Sequence, residues 1–396
     1  MNYFCESFLP YHNLLNKFDL VNKKKTNKTM PIEKTIFHNG GDNDNIVTLY
    51  SLTNGRLMVK IIDYGATIVQ IKYPDNNQIE RDLILGFDDI FGYKSKLNPY
   101  FGSTIGRFAN RIANGTFCLD EQQYHLHRNN GENSLHGGQI GFDKRQWKLS
   151  NETDYSITLM YRSFDGEEGY PGTLIIKVRF EITDSDELQI EYEAKLEQKD
   201  STNVDKTIVS LTNHSYFNLN GCYDQNSTKI LDHKICLYAQ NYLEIDDNLI
   251  PTGRILSVKD TVMEFPKKPL RTIGERNFPY DHCYVLINDS NEWDLKTKRP
   301  LRLAAEAYSE KTGIKMSFMT DEPAFQFYIG GFISDNGLQT KKSQSSELLS
   351  LGKNSGFCFE AQRFPNAINH DSWRNQVILT ANDIYTQKTV YKFANV

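Results

Sequence analysis

The sequence predicts an all-β protein, a large antiparallel β-sandwich, and three observations carry that expectation. Wherever apolar residues recur with a readable period, the period is two, as in a strand that buries one face. Gly, Asn, Asp and Pro bound each such run, which sets many short strands close together with turns between them. No segment sustains a helical period for long, and without helices to cover a parallel sheet the strands must pack on each other. A core is available for this, since the 396 residues include 23 Phe, 22 Tyr and 3 Trp.

In chain order, residues 1–30 come first. Glu6, Pro10, His12, Asn13 and Lys17 interrupt every apolar run there, so the segment offers no continuous stretch for a secretory signal. Lys23, Lys24 and Lys25 suit a mitochondrial presequence, but the segment has no Arg and carries Glu6 and Asp19. It is expected to be a poorly ordered, dispensable extension preceding a single β-sandwich domain over residues 31–396. Strands are predicted at Leu57 to Ile62 and Ile157 to Arg162, and a short helix at Asp88 to Ser95. The clearest element is a long hairpin. Leu174, Ile176, Val178, Phe180 and Ile182 share one face, Asp184-Ser185-Asp186 turns the chain, and Leu188, Ile190, Tyr192, Ala194 and Leu196 repeat the pattern. Further strands follow at Ile235 to Tyr238 and Lys315 to Phe318. The stretch Leu338 to Lys353, rich in Lys, Ser and Gln, reads as a polar surface loop.

Composition excludes several functions. Against 50 acidic residues stand 45 Lys and Arg, a formal charge of −5, so nucleic acid is not an expected partner. No run approaches the ~18 uncharged apolar residues of a membrane span, and no membrane partner is expected. The six cysteines have no C-x-x-C spacing and no signal peptide accompanies them, which points to reduced thiols and a cytoplasmic location. The sequons at Asn114 and Asn226 then have no consequence. Phosphate-loop, nucleophile-elbow and dinucleotide patterns are all missing from the sequence. His125 and His127 form the one tight pair of candidate metal ligands, with no third ligand nearby, and read as strand histidines rather than a zinc site.

What remains are polar residues inserted among apolar and aromatic ones. His214 lies in VSLTNHSYFNLNG, either a satisfied core histidine or a working one. Glu360 lies between Phe357, Phe359 and Phe364; a carboxylate there is costly unless it has a partner or a job. Its two readings are a buried ion pair with Arg363 and a catalytic base. His136 precedes two glycines, Asn110 and Arg111 follow Gly106, Asp281 starts an apolar strand, and Gln326 sits between two phenylalanines. One monosaccharide would account for the whole set, because such groups hydrogen-bond a ring of hydroxyls while Phe and Tyr offer flat faces to its C–H surface.

The strings GRFANRIANGTF, NSLHGGQIGFDKRQW, DGEEGYPG, LTNHSYFNL, DHCYV, AFQFYIGGF and CFEAQRFPNAIN resemble, in order and spacing, the blocks of the aldose 1-epimerase (galactose mutarotase) family. The resemblance runs from about Ile36 to the C-terminus. It implies a β-sandwich of the galactose-mutarotase-like type, a catalytic acid at His214, a catalytic base at Glu360, and sugar-binding positions at Asn110, Arg111, His136, Asp281 and Gln326. Tyr216 is implied as a wall of the pocket. Residues 1–30 have no clear family counterpart, and the polar stretch Lys341 to Glu347 departs from the family pattern.

The chemistry so implied needs no cofactor and no metal. One group removes the anomeric proton, another protonates the ring oxygen, the hemiacetal opens, and closure on the other face reverses both transfers. A protonated His214 is called for, and a neighbouring carboxylate that raises its pKa would help. The preferred substrate is a free hexose such as D-galactose or D-glucose, handled by a monomer or weak dimer. A hexose-6-phosphate 1-epimerase would demand several cations at the site, and Arg111 is the only one among the matched sugar-binding positions. A noncatalytic sugar-binding protein would not need both His214 and Glu360.

Overall fold

The computed structural model describes residues 31–41, 45–197, 204–287, 295 and 299–396; the expectation for residues 1–30 lies outside the described residues. Antiparallel strands form one nine-stranded sheet, two five-stranded sheets and several two-stranded ribbons. Among the described residues no helix is long and apolar enough to cross a membrane.

The predicted hairpin lies inside the nine-stranded sheet. Leu174–Ile182 pairs with Glu187–Leu196 so that Ile182 opposes Leu188 and Leu174 opposes Leu196, and strict alternation buries every second residue. The strand Tyr385–Asn395 runs between Glu187–Leu196 and Ile314–Thr320, tying the chain's end into the middle of the sheet. Facing away from the core, this sheet carries a lattice of opposed charges. Lys177 bridges Glu193 at 3.4 Å, Arg179 meets Glu191 at 3.5 Å, Lys388 meets Glu191 at 2.7 Å, and Lys392 meets Glu187 at 3.0 Å.

The opposing layer holds both five-stranded sheets. One is a sequential meander from Glu33–His38 to Glu80–Asp82; the other runs in the order Pro251–Ser257, Asn241–Ile245, Asp281–Val285, Ala324–Tyr328, Cys358–Gln362. Rings interlock between the layers. Phe318 of the large sheet lies 5.5 Å from Phe325 and 5.3 Å from Phe359, and Tyr73 lies 5.8 Å from Phe393. A fully buried Phe contributes roughly 1.5–3 kcal/mol, so this aromatic seam outweighs any single polar contact between the sheets. In the second five-stranded sheet, Ala324–Tyr328 and Cys358–Gln362 are buried on both faces, since they contain no exposed residue.

The short helix spans Ile90–Lys94, capped by the Asp89 carboxylate, which accepts the Gly92 N–H at 3.0 Å, and it buries Ile90 and Tyr93. His125 and His127 are both exposed. The described cysteines Cys118, Cys222, Cys236, Cys283 and Cys358 are free thiols.

The stretch near 341 departs from the surface-loop expectation. Lys341 is 3% exposed; its ammonium meets the Asp82 carboxylate at 2.8 Å and donates to the Val69 carbonyl at 2.6 Å. Ser343 donates to Asp82 at 2.6 Å, and the Gln344 amide donates to the Ile84 carbonyl at 3.0 Å. Polar composition hid this, because each buried polar group finds its partner in or just after the distant meander sheet. Replacing Lys341 by Ala leaves Asp82 buried without its cation, so urea unfolding is expected to show a loss of about 3–5 kcal/mol. A loss within 0.5 kcal/mol, the usual range for a surface change, would restore the loop to the surface.

Candidate active site

Strand alternation builds the site on the face of the second five-stranded sheet that points away from the aromatic seam. Gln326 opposes Glu360 and Cys283, while Tyr328 opposes Asp281 and Cys358. These residues therefore share one face. Phe325, Phe327 and Phe359 point the opposite way into the core. The phenylalanines flanking Glu360 in sequence thus do not surround it in space, although the carboxyl is still only 2% exposed.

Next to Cys358–Gln362, the segment carrying His214 extends the sheet edge. Phe217 and Phe357 exchange backbone hydrogen bonds at 2.7 and 2.9 Å, and His214 exchanges bonds of 2.9 and 3.0 Å with Ser103 and Gly102. His214 Nε2 then lies 3.6 Å from Glu360 Oε1. The imidazole is packed between two rings, with Tyr216 stacked at 4.9 Å and 11° and Tyr100 at 5.9 Å and 18°.

The far wall comes from two tight turns. Arg111–Ile112 pairs with Ser134–Leu135. His136, at φ 53°, then receives the Asn110 N–H on its Nδ1 at 3.2 Å. A Cβ on Gly137 would sit 1.9 Å from the Gly106 carbonyl, so the glycine serves a close approach of backbone to backbone. The Asn110 side chain accepts the Arg111 N–H at 2.8 Å, and Arg111 Nε donates to Asn130 at 3.0 Å. Asp281 accepts a bond from Gln326 Nε2 at 2.6 Å.

All eight residues singled out in the sequence, Asn110, Arg111, His136, His214, Tyr216, Asp281, Gln326 and Glu360, line one cavity of about 190 Å³. That is below the roughly 300–1,000 Å³ of a drug-sized cleft and suits one small polar ring. Tyr100, Asn130, Tyr328 and Phe332 also line it and were not anticipated. Tyr328 was within reach of the period-two rule, being two residues after Gln326. Tyr100 carries no sequence signal; its ring is placed by a backbone φ of 69°.

Two expectations change. Arg363 does not partner Glu360; its guanidinium meets Glu322 at 2.9 Å, both side chains being at most 2% exposed. The odd-numbered Arg363 lies on the opposite strand face from Glu360, which is why proximity in sequence misled. Nor is the histidine pKa raised. Burial pushes His214 down to about 3, its own carbonyl pulling weakly the other way. Burial and the nearby Asp281 charge push Glu360 well above the carboxylate range, with Arg111 opposing. Burial likewise holds His136 well below its ordinary value.

Donor atoms of His136, His214 and Glu360 lie within 4.8 Å of one another. The His136 hydrogen bond argues against a metal there. Because Nδ1 accepts the Asn110 N–H, the neutral ring carries its proton on Nε2, and neither nitrogen has a lone pair free, whereas a ligating histidine donates from its second nitrogen. What the site offers is a hydrogen-bond donor at His136 and a buried acid–base couple at His214 and Glu360.

Comparison with known proteins identifies the family and the fold. The family model described as aldose 1-epimerase matches residues 48–392. The galactose mutarotases of Bos taurus and Homo sapiens are 38% and 37% identical over 356 residues, covering 88% of this chain and 94% of each relative. The crystal structure of an aldose epimerase homologue from C. elegans superposes with a TM-score of 0.75 at 29% identity, covering 88% of this chain and 99% of that one. In fold alone, a galactose 1-epimerase from Lactobacillus acidophilus gives a TM-score of 0.70 at 23% identity, over 92% of this chain and 99% of that one. With its conserved-length match, its mutarotase relatives and its shared β-sandwich, the chain belongs to the aldose 1-epimerase family.

Proposed function

We propose that the protein is an aldose 1-epimerase that interconverts the α and β anomers of a free hexose such as D-galactose or D-glucose, acting in the cytoplasm as a monomer or weak dimer. The observation that carries this reading is a titratable couple, His214 Nε2 and Glu360 Oε1 at 3.6 Å, at the back of a polar cavity of monosaccharide size. Glu360 takes the anomeric hydroxyl proton while His214 Nε2 gives a proton to the ring oxygen. The bond from C1 to the ring oxygen breaks, C1 becomes an aldehyde, and rotation about the C1–C2 bond presents its other face. Closure returns both protons.

Throughout this cycle the couple holds one proton, on His214 before opening and on Glu360 after it. Desolvation favours the uncharged arrangement, which is the arrangement that ring opening produces. At rest the proton therefore sits on Glu360, and the ionic form that opens the ring is the less populated one; once formed, a histidine lowered to about 3 is a strong acid and a carboxylate raised above its usual range is a strong base. Asn110, Arg111, His136, Asp281 and Gln326 are assigned to hold the hydroxyls. Arg111 is the one Lys or Arg among the cavity-lining residues, which disfavours a hexose 6-phosphate because a phosphate dianion wants several cations.

Polarimetry on freshly dissolved α-D-galactose and α-D-glucose tests the reading: accelerated mutarotation is expected, unchanged after dialysis against EDTA. Binding of either sugar without acceleration would make the protein a sugar-binding module instead. Glu360→Gln retains the shape of the side chain but cannot accept a proton at neutral pH, so turnover is expected to fall by about 10²-fold or more. Since Arg363 is paired elsewhere, the melting temperature is expected to stay within a few degrees; normal turnover in a folded variant would remove Glu360 from the chemistry.

The pH profile follows from the couple. Below about pH 3, where His214 binds a proton although Glu360 is already protonated, no base remains. Above the raised Glu360 value no proton is left to serve as acid. Between these limits kcat/KM is expected to be flat, with its acid limb near 3. An acid limb at the ordinary carboxylate value near 4.5 would mean that the couple titrates as exposed groups.

A further inference from the structure

We propose that Cys358 is a positioning residue for the acid: its sulfur accepts the Nδ1–H of His214 and so fixes the tautomer that leaves Nε2 as the nitrogen that gains and loses the proton. The inference rests on the assignment of His214 as acid and adds to it the group that selects which ring nitrogen works. Cys358 and Glu360 are two apart on one strand and project from the same face. That single strand touches both nitrogens of the imidazole, Cys358 Sγ lying 3.5 Å from Nδ1 and Glu360 Oε1 3.6 Å from Nε2. The thiol is 0% exposed and does not line the cavity.

Stacking cannot choose between the nitrogens. Tyr216 and Tyr100 hold the plane of the ring, and the His136 ring meets its edge at 5.2 Å, but none of these contacts distinguishes a protonated nitrogen from a bare one. The reaction does distinguish them. Nε2 must carry a proton before ring opening and none after it, so Nδ1 must keep its proton through the whole cycle. An acceptor at Nδ1 is therefore required, and free histidine in water prefers the other neutral tautomer. The His214 carbonyl is partly engaged, accepting the Gly102 N–H at 3.0 Å; the sulfur of Cys358 is the side-chain acceptor in place.

The chemical identity of that acceptor matters too. A carboxylate at Nδ1 would stabilise the imidazolium and make it a weaker acid. A thiol sulfur is a weak, uncharged acceptor. Burial and the Glu360 and Asp281 charges hold the Cys358 thiol well above its ordinary value, so it stays a thiol and adds no charge beside the acid. Cys358 thus selects the tautomer without blunting the acidity.

The test compares Cys358→Ala, Cys358→Ser and the unchanged protein by polarimetry and by ¹⁵N NMR of the imidazoles, with His214 identified from a His214→Gln spectrum. In the unchanged protein at neutral pH, His214 is expected to show a protonated Nδ1 and a bare Nε2. His136 is expected to show the reverse. Cys358→Ala should move His214 toward the Nε2–H form and lower kcat about tenfold with KM unchanged, and Cys358→Ser, whose hydroxyl also accepts, should restore both. An Nε2–H His214 in the unchanged protein would overturn the proposal, as would an Ala variant with full kcat, or one that loses kcat without a change in the His214 nitrogen shifts. Should the Ala variant not fold, a Ser variant that keeps kcat but not the tautomer overturns it equally. Failure of His214 as the acid is a distinct result: His214→Gln would then retain turnover.

Discussion

The site depends on two adjacent strands, Ala324–Tyr328 and Cys358–Gln362, that are buried on both faces. A sheet with one wet face would put Asp281, Gln326 and Glu360 into solvent, where a carboxylate is a weak base and a histidine a weak acid. Here the inner face is sealed by the aromatic seam of Phe318, Phe325 and Phe359. The outer face is roofed by the segments around Tyr100, Asn110, His136 and His214. Period-two alternation then does the sorting, sending the phenylalanines one way and Gln326, Tyr328 and Glu360 the other. Glu360 is placed by a strand and His214 by backbone bonds to Ser103 and Gly102, which keeps the couple at fixed separation.

Desolvation is normally a penalty that buried ionisable groups offset by pairing with an opposite charge, as Lys341 does with Asp82, although burial still pushes Glu322 up to about 8 beside Arg363. His214 and Glu360 differ in that each group is the other's partner and a single proton satisfies both. Their charges vanish together when the proton moves. The ionic form of the couple is therefore transient, and the distinction from Lys341 and Asp82 lies in burial without a strong fixed counter-charge.

Much of this was legible in the sequence, for identifiable reasons. The hairpin through Phe180 and Ile190 announces itself because strict alternation has few other structural meanings. The eight cavity residues stand in blocks whose spacing resembles a known family, and their polar character contrasts with the rings around them. Three things were not legible. Arg363 stands three residues from Glu360, and only the strand assignment shows that an odd offset reverses its direction. Lys341 looks solvated because its partner, Asp82, is more than 250 positions away. The pKa directions depend on how completely loops cover the outer face, and linear sequence does not encode coverage.

The charge lattice on the open face of the nine-stranded sheet has a consequence for how the molecule behaves in a crowded solution. A broad, open expanse of strands invites another sheet to stack upon it, the route by which β-rich chains coalesce. Here Lys177, Arg179, Lys388 and Lys392 are interleaved with Glu187, Glu191 and Glu193, so a second sheet would have to strip water from a whole array of ions at once. Even mutually neutralised ions resist dehydration. The face is therefore sticky for water and repellent to its own kind, which leaves a large β surface exposed without making it a seed for aggregation.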